Sequence, residues 1–152
     1  MPRRADISRT RTFSAKSLEV KVFVDTNVLV AAYATRGLCS DLLRLILAQH
    51  ELVVSRQVLD ELERALRGKI GLPEGLIGEI LATLAAHMFE TEPDLLSPIA
   101  LRDSDDEPIL AAALAAGAAA LVTGNADLLD AAPGAPLSIL SPRAFWLQQR
   151  GG

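Results

Sequence analysis

The chain is short of the residues that mark many common chemistries. Its one cysteine, Cys39, rules out an internal disulfide and suits a reducing compartment. Its two histidines, His50 and His87, have no metal-ligand spacing between them. Aromatic residues make up 4% of the sequence, so the core has to be built from Leu, Ile, Val and Ala. No stretch approaches the ~18–20 apolar residues of a membrane-crossing helix. Arg3-Arg4 is not followed by the apolar region of a signal peptide, so export is not expected and a cytoplasmic location is.

What is present is a chain of 152 residues, half of them hydrophobic, enough for one domain with a sizeable core. The net charge of −4 is unevenly spread. Residues 1–19 hold Arg3, Arg4, Arg9, Arg11 and Lys16 against Asp6 and Glu19, and lack periodicity, as expected of a disordered basic tail. From Lys21 onward there are 10 basic and 17 acidic residues. Bulk charge of that sign repels nucleic acid, so a nucleic-acid role needs bound cations or a local basic rim. Arg36, Arg56 and Arg102 fall near expected strand ends, but exposed arginines are common.

The hydrophobic pattern of residues 20–150 alternates short β-branched runs with helical spacing. Val20 to Val24, Leu52 to Val54, Ala120 to Thr123 and Leu137 to Leu140 read as strands. Helices are expected over Val28–Ala34 and over Asp41–His50 with Ser40 as cap. A further helix follows Ser55 and is closed by Gly68 and Gly71. Others open at Pro73, cover Ile109–Ala116 and start at Ser141-Pro142. Residues 88–101 are expected to mix a short strand with loop. Phe145 and Trp146 are expected to pack the last helix. The pattern predicts an α/β domain: a parallel twisted sheet of four to five strands with helices on both faces.

Ligands of such sheets bind outside the carboxyl ends of the strands. Asp25 directly follows the first strand, and Asn125 and Asp127 follow the Ala120–Thr123 strand. Asp106 precedes the apolar helix at Ile109, with Asp105 as its fallback, and Glu61 lies on the helix after the second strand. Carboxylates gathered from separate segments raise each other's pKa and cost stability, a cost that a divalent cation removes. An all-oxygen donor set suits Mg²⁺ or Mn²⁺. One or two such ions could activate a water for attack on a phosphodiester, with no Ser or Cys nucleophile required.

Four segments carry a family resemblance. They are Val22-Phe23-Val24-Asp25-Thr26-Asn27-Val28-Leu29, Ser55 to Leu62 with Glu61 as its acidic residue, Arg102 to Ala113, and Ala120 to Leu129 with Thr123, Asn125 and Asp127. Their order and spacing resemble those of PIN domains, and are similar to the bacterial VapC-like toxins of toxin–antitoxin systems. The resemblance implies a metal-dependent endoribonuclease with an RNA substrate, a cognate antitoxin partner and a homodimeric state. It implies Asp25, Glu61, Asp106 and Asp127 as the catalytic set, with Asp25, Asp106 and Asp127 on the Mg²⁺ or Mn²⁺. Thr26 and Asn27 would support Asp25, and Thr123 would line the site. Many members carry Asp where this chain has Asn125, so one negative charge is missing and the number of metals stays open.

Two other functions compete. A catalytically degenerate PIN-like module that binds RNA or protein would account for Asn125. A phospho-acceptor domain of the response-regulator kind needs a lysine after the last strand. Ser141-Pro142-Arg143 stands there, and the only lysines are Lys16, Lys21 and Lys69. Asp25-Thr26-Asn27 also has a plain alternative reading as a helix cap.

Overall fold

The computed structural model describes residues 19–89 and 107–151. The expectations for the tail before residue 19, for most of 88–101 and for Asp103 to Asp106 therefore lie outside the described residues.

Four short parallel strands form one sheet in the order β2-β1-β3-β4: β1 Lys21–Val24, β2 Glu51–Val53, β3 Ala120–Val122 and β4 Ser138–Leu140. β1 is central. Val22 pairs with Leu52 on one side and Ala120 on the other. Successive strand residues point to opposite faces, yet Val22, Phe23 and Val24 are all fully buried. Both faces of the sheet are thus covered, as parallel sheets require.

The helices are α1 Thr26–Ala34, α2 Leu38–Gln49, α3 Arg56–Arg64, α4 Glu74–Ala85, α5 Glu107–Ala115, α6 Ala126–Asp130 and α7 Pro142–Gly151. Ser55 caps α3 as expected, its hydroxyl accepting from Val58 N at 3.3 Å. Val58, Leu59 and Leu62 make the buried face of α3. Each such side chain contributes about 1.5–3 kcal/mol when taken out of water.

Several boundaries differ from expectation. α1 begins at Thr26 rather than Val28, because Asp25 accepts from Thr26 N and caps the helix directly. α2 begins at Leu38, after Gly37 and without a side-chain cap; Ser40 instead accepts from Arg44 Nη1 at 3.4 Å. Gly68 does not close α3. The chain runs through it in a π-helical turn, Ala65–Ile70, and stops at Gly71. Gly71 takes a left-handed φ of 76°, and its N–H returns to Leu66 O. Val54 lies beyond β2, in a parallel bridge to Met88.

Phe145 of α7 is buried and Trp146 packs partly against the core. His50, at the end of α2, is buried under the edge of the Phe145 ring. Its Nδ1 accepts from Val20 N at 3.2 Å, so Nε2 carries the proton and donates to Gln149 Oε1 at 2.8 Å. Lys21 donates to Ala116 O at 3.1 Å, satisfying a carbonyl at the end of α5. Among the described residues no helix is long and apolar enough to cross a membrane.

Candidate active site

All four strands point the same way, so their carboxyl ends share one edge. Asp25 leaves β1 there, with its N–H on Val122 O at 3.0 Å. Thr123 leaves β3 at the same edge, with its N–H on Leu140 O at 3.0 Å. Parallel register thus brings together two residues far apart in sequence.

The Asp25 carboxylate is 6% exposed and held by three donors. Oδ1 accepts from Thr26 N at 2.7 Å. Oδ2 accepts from the Thr123 hydroxyl at 2.7 Å and from Asn27 Nδ2 at 3.3 Å. Burial pushes the Asp25 carboxyl above its ordinary pKa. The Thr123 and Thr26 bonds pull it down, the nearby Glu61 pushes it up, and Asn27 pulls it down. The net direction is upward: the ionised form is strained by its setting. Asp25 therefore both caps α1 and lines the cleft, so the helix-cap reading and the candidate-site reading fall on the same side chain.

Glu61 faces the same place from α3. Its Oε1 accepts from the Thr26 hydroxyl at 2.7 Å and its Oε2 from Gln57 Nε2 at 3.0 Å. The neighbouring acids behave otherwise: Asp60 is exposed and Glu63 pairs with Arg67 at 2.9 Å.

Asn27 ties the two strand ends together. Its Oδ1 accepts from Gly124 N at 2.9 Å while its Nδ2 holds Asp25. A Cβ at position 124 would stand 3.3 Å from Asn27 Oδ1, tighter than an ordinary contact. The Thr123 hydroxyl accepts from Asn125 N at 3.0 Å, so its single proton is left to point at Asp25. Asn125 Oδ1 caps α6 by accepting from Asp127 N at 2.8 Å and Leu128 N at 3.3 Å. The amide performs this capping without placing another negative charge beside Asp25 and Glu61.

These groups line a cleft of about 400 Å³ together with Val30, Gln57, Ala65, Lys69 and Ile109. Asp25, Thr26, Asn27, Glu61 and Asn125 all belong to that lining, and Thr123 lies beneath it with no exposure. Asp127 sits half-buried in the first turn of α6 and does not line the cleft. Asp106 lies outside the described residues.

Sequence reasoning missed Gln57 and Lys69, and the arginines it noted near strand ends, Arg36 and Arg56, do not line this cleft. The signal was a spacing. Gln57, Glu61, Ala65 and Lys69 recur at strict steps of four, as do Val58, Leu62, Leu66 and Ile70 on the packed side. Four residues of α-helix overshoot a full turn by about 40°, so a straight α-helix could not keep both rows aligned.

Among the described residues no group of three or more Asp, Glu, His or Cys stands ready for a metal ion. Asp25 and Glu61 nonetheless fit one by chemistry. A carboxylate offers roughly four lone-pair positions. The protein bonds of Asp25 occupy three and those of Glu61 two. The remaining positions are all oxygen, and Mg²⁺ typically takes one or two carboxylates and keeps several waters.

Residues 21–127 match the family model described as PIN domain. No curated protein matches the chain.

Proposed function

Because the chain belongs to the PIN-domain family, a nuclease-type fold, we propose that it is a metal-dependent endoribonuclease whose site is centred on Asp25. The observation that carries this reading is the Asp25 carboxylate itself. It is buried, pushed above its ordinary pKa, held by three donors, and close enough to Glu61 to feel its charge in an open cleft. A structural aspartate gains nothing from a second carboxylate beside it; a cation-binding one does.

Asp25 and Glu61 would hold Mg²⁺ or Mn²⁺, joined by Asp106, three residues before the cleft residue Ile109. When bound, the ion supplies a more acidic water and positive charge for the phosphate oxygens. The chain's own residues do the rest. Thr123, Thr26 and Asn27 fix the Asp25 oxygens, while Thr26 and Gln57 fix those of Glu61. The reaction is hydrolysis: a water oxygen joins phosphorus and one P–O ester bond of RNA breaks. Asp127, as the fourth acid, would act from the first turn of α6, outside the cleft lining described above. In the cell we place the protein in the cytoplasm as the toxin of a toxin–antitoxin pair, homodimeric and held by a cognate antitoxin.

Purified protein with Mg²⁺ or Mn²⁺ should cut single-stranded or structured RNA, and chelation or Asp25→Asn should stop it. Undiminished cutting by Asp25→Asn would remove Asp25 from the mechanism. The second reading, a module without catalysis, draws on Asn125, whose carbonyl caps α6 and adds no charge to the cleft. Titration with Mn²⁺ followed by thermal melting separates the two, since an ion that binds only the folded chain raises Tm. No shift at millimolar Mn²⁺ favours the module. A neighbouring reading frame for a small DNA-binding protein would support the toxin role.

A further inference from the structure

We propose that Lys69 is the phosphate-binding residue of the cleft, carried to its rim by the π-helical turn to hold the RNA backbone against the Asp25–Glu61 pair. This rests on the ribonuclease reading above and adds to it the residue that grips the substrate.

The first observation is geometric. Gln57, Glu61, Ala65 and Lys69 all line the cleft, although they span α3 and the turn that follows it. In a continuous α-helix, at ~100° per residue, the last of them would have drifted roughly 120° around the axis from the first. The π-helical turn has i→i+5 bonding and rotates less per residue, so it winds the drift back. Gly68 sits exposed within the turn, and Gly71 ends it in a left-handed conformation. The turn thus leaves Lys69 over the cleft while Leu66 stays buried beneath.

The second observation is electrostatic. The turn carries two basic residues with opposite fates. Arg67 is neutralised by Glu63 and by a two-pronged contact with Glu74, at 2.6 and 2.8 Å. Lys69 is exposed, and among the described residues no carboxylate pairs with it. It is also the one basic side chain among the described lining of the cleft. The chain from Lys21 onward carries 10 basic residues against 17 acidic ones and repels a polyanion as a whole. Beyond the ion held by the two carboxylates, the RNA backbone therefore gains from a cation fixed at the rim, and Lys69 is placed to be it. An ammonium on a flexible stem suits a phosphate whose exact position varies with RNA sequence.

The test uses the full chain carrying Asp25→Asn, so that a fluorescently labelled single-stranded RNA oligonucleotide stays intact, with binding followed by anisotropy across a salt series. Adding Lys69→Gln should weaken binding about three- to tenfold and reduce the slope of log Kd against log salt by about 0.7, one single-strand phosphate contact. Lys69→Arg should restore most of both. Arg44→Gln, on the exposed surface of α2, should leave the slope unchanged. In the chain with Asp25 intact, Lys69→Gln should raise KM for cleavage more than it lowers kcat. A chain that cuts RNA but shows the same affinity and slope with Lys69→Gln overturns the role of Lys69 alone, as does an equal loss with Arg44→Gln. A chain that neither cuts nor binds RNA overturns the ribonuclease reading and Lys69 with it.

Discussion

The Thr123 hydroxyl donates to Asp25 Oδ2 at 2.7 Å across 98 residues of sequence. It does so with no exposure to solvent and with its oxygen already accepting from Asn125 N. One side chain thereby sets the orientation of the central carboxylate and closes the turn that leads into α6.

Thr123→Val keeps the shape of the side chain and removes both bonds. It leaves Asn125 N without this acceptor and Asp25 Oδ2 with only the 3.3 Å contact from Asn27. A loss of about 1–3 kcal/mol in urea unfolding is expected, with a fall in RNA cleavage larger than the stability loss explains. Thr123→Ser should retain most activity. Equal activity in the Val and Ser variants would mean that the hydroxyl does not orient Asp25.

Asp25→Asn should leave the metal-free protein within about 1 kcal/mol of the parent at neutral pH, since relief of a strained charge offsets a weakened hydrogen bond. The pH trend carries the sign. The unfolded carboxyl titrates near its ordinary 3.8, and burial raises the folded one above that. Ionised Asp25 therefore costs stability above its folded pKa, and the cost disappears as pH falls toward 3.8. The parent should gain on the variant as pH is lowered, in paired urea melts with chelator at pH 7 and at about pH 4, close to the unfolded value of 3.8. The reverse trend would show that the three donors outweigh burial.

Gly124→Ala should damage the site more than the fold. The added methyl meets Asn27 Oδ1 at 3.3 Å, and Asn27 has little freedom to move because it bonds both Gly124 N and Asp25. A stability loss of about 1 kcal/mol should accompany a several-fold loss of cleavage. Unchanged cleavage would show that Asn27 can shift without moving Asp25.

Gly78→Ala lies away from the site, on the exposed side of α4, where a Cβ would meet nothing within 4 Å. Mid-helix glycine costs backbone entropy. The change should add about 0.5–1 kcal/mol in urea unfolding and leave RNA cleavage unaltered; a loss of stability there would mean that α4 packs against something besides the residues described.

Much of this was legible in the sequence because local chemistry and fold agree. Val22-Phe23-Val24 reads as a buried strand and is one, and Ser55 reads as a cap and is one. Asp25, Thr26, Asn27, Glu61 and Thr123 were readable as a set through their motifs, and the structure brings those five together. The hidden part was the continuation of α3. Gly68 looks like a stop signal because propensity is local, whereas the helix continues past it in a π-helical turn that keeps Leu66 buried in the core. Gln57 and Lys69 were hidden with it, since which face of a helix lines a cleft depends on how the helix winds. Asn125 was readable as a missing charge but not as the cap of α6, because a helix as short as Ala126–Asp130 leaves too few residues for a helical period.

β1 leaves the ribosome well before its neighbour β3. At ~5–20 residues per second, the 98 residues from Asp25 to Thr123 take about 5–20 s to synthesise. Through that interval β2 can dock on β1, but Asp25 lacks the hydroxyl that orients it and Asn27 lacks the Gly124 N–H that anchors it. A nascent chain therefore holds an unassembled cleft beside the very class of molecule it is proposed to cut. Under the proposed function, the sheet order would defer hydrolysis until β3 has been made and paired.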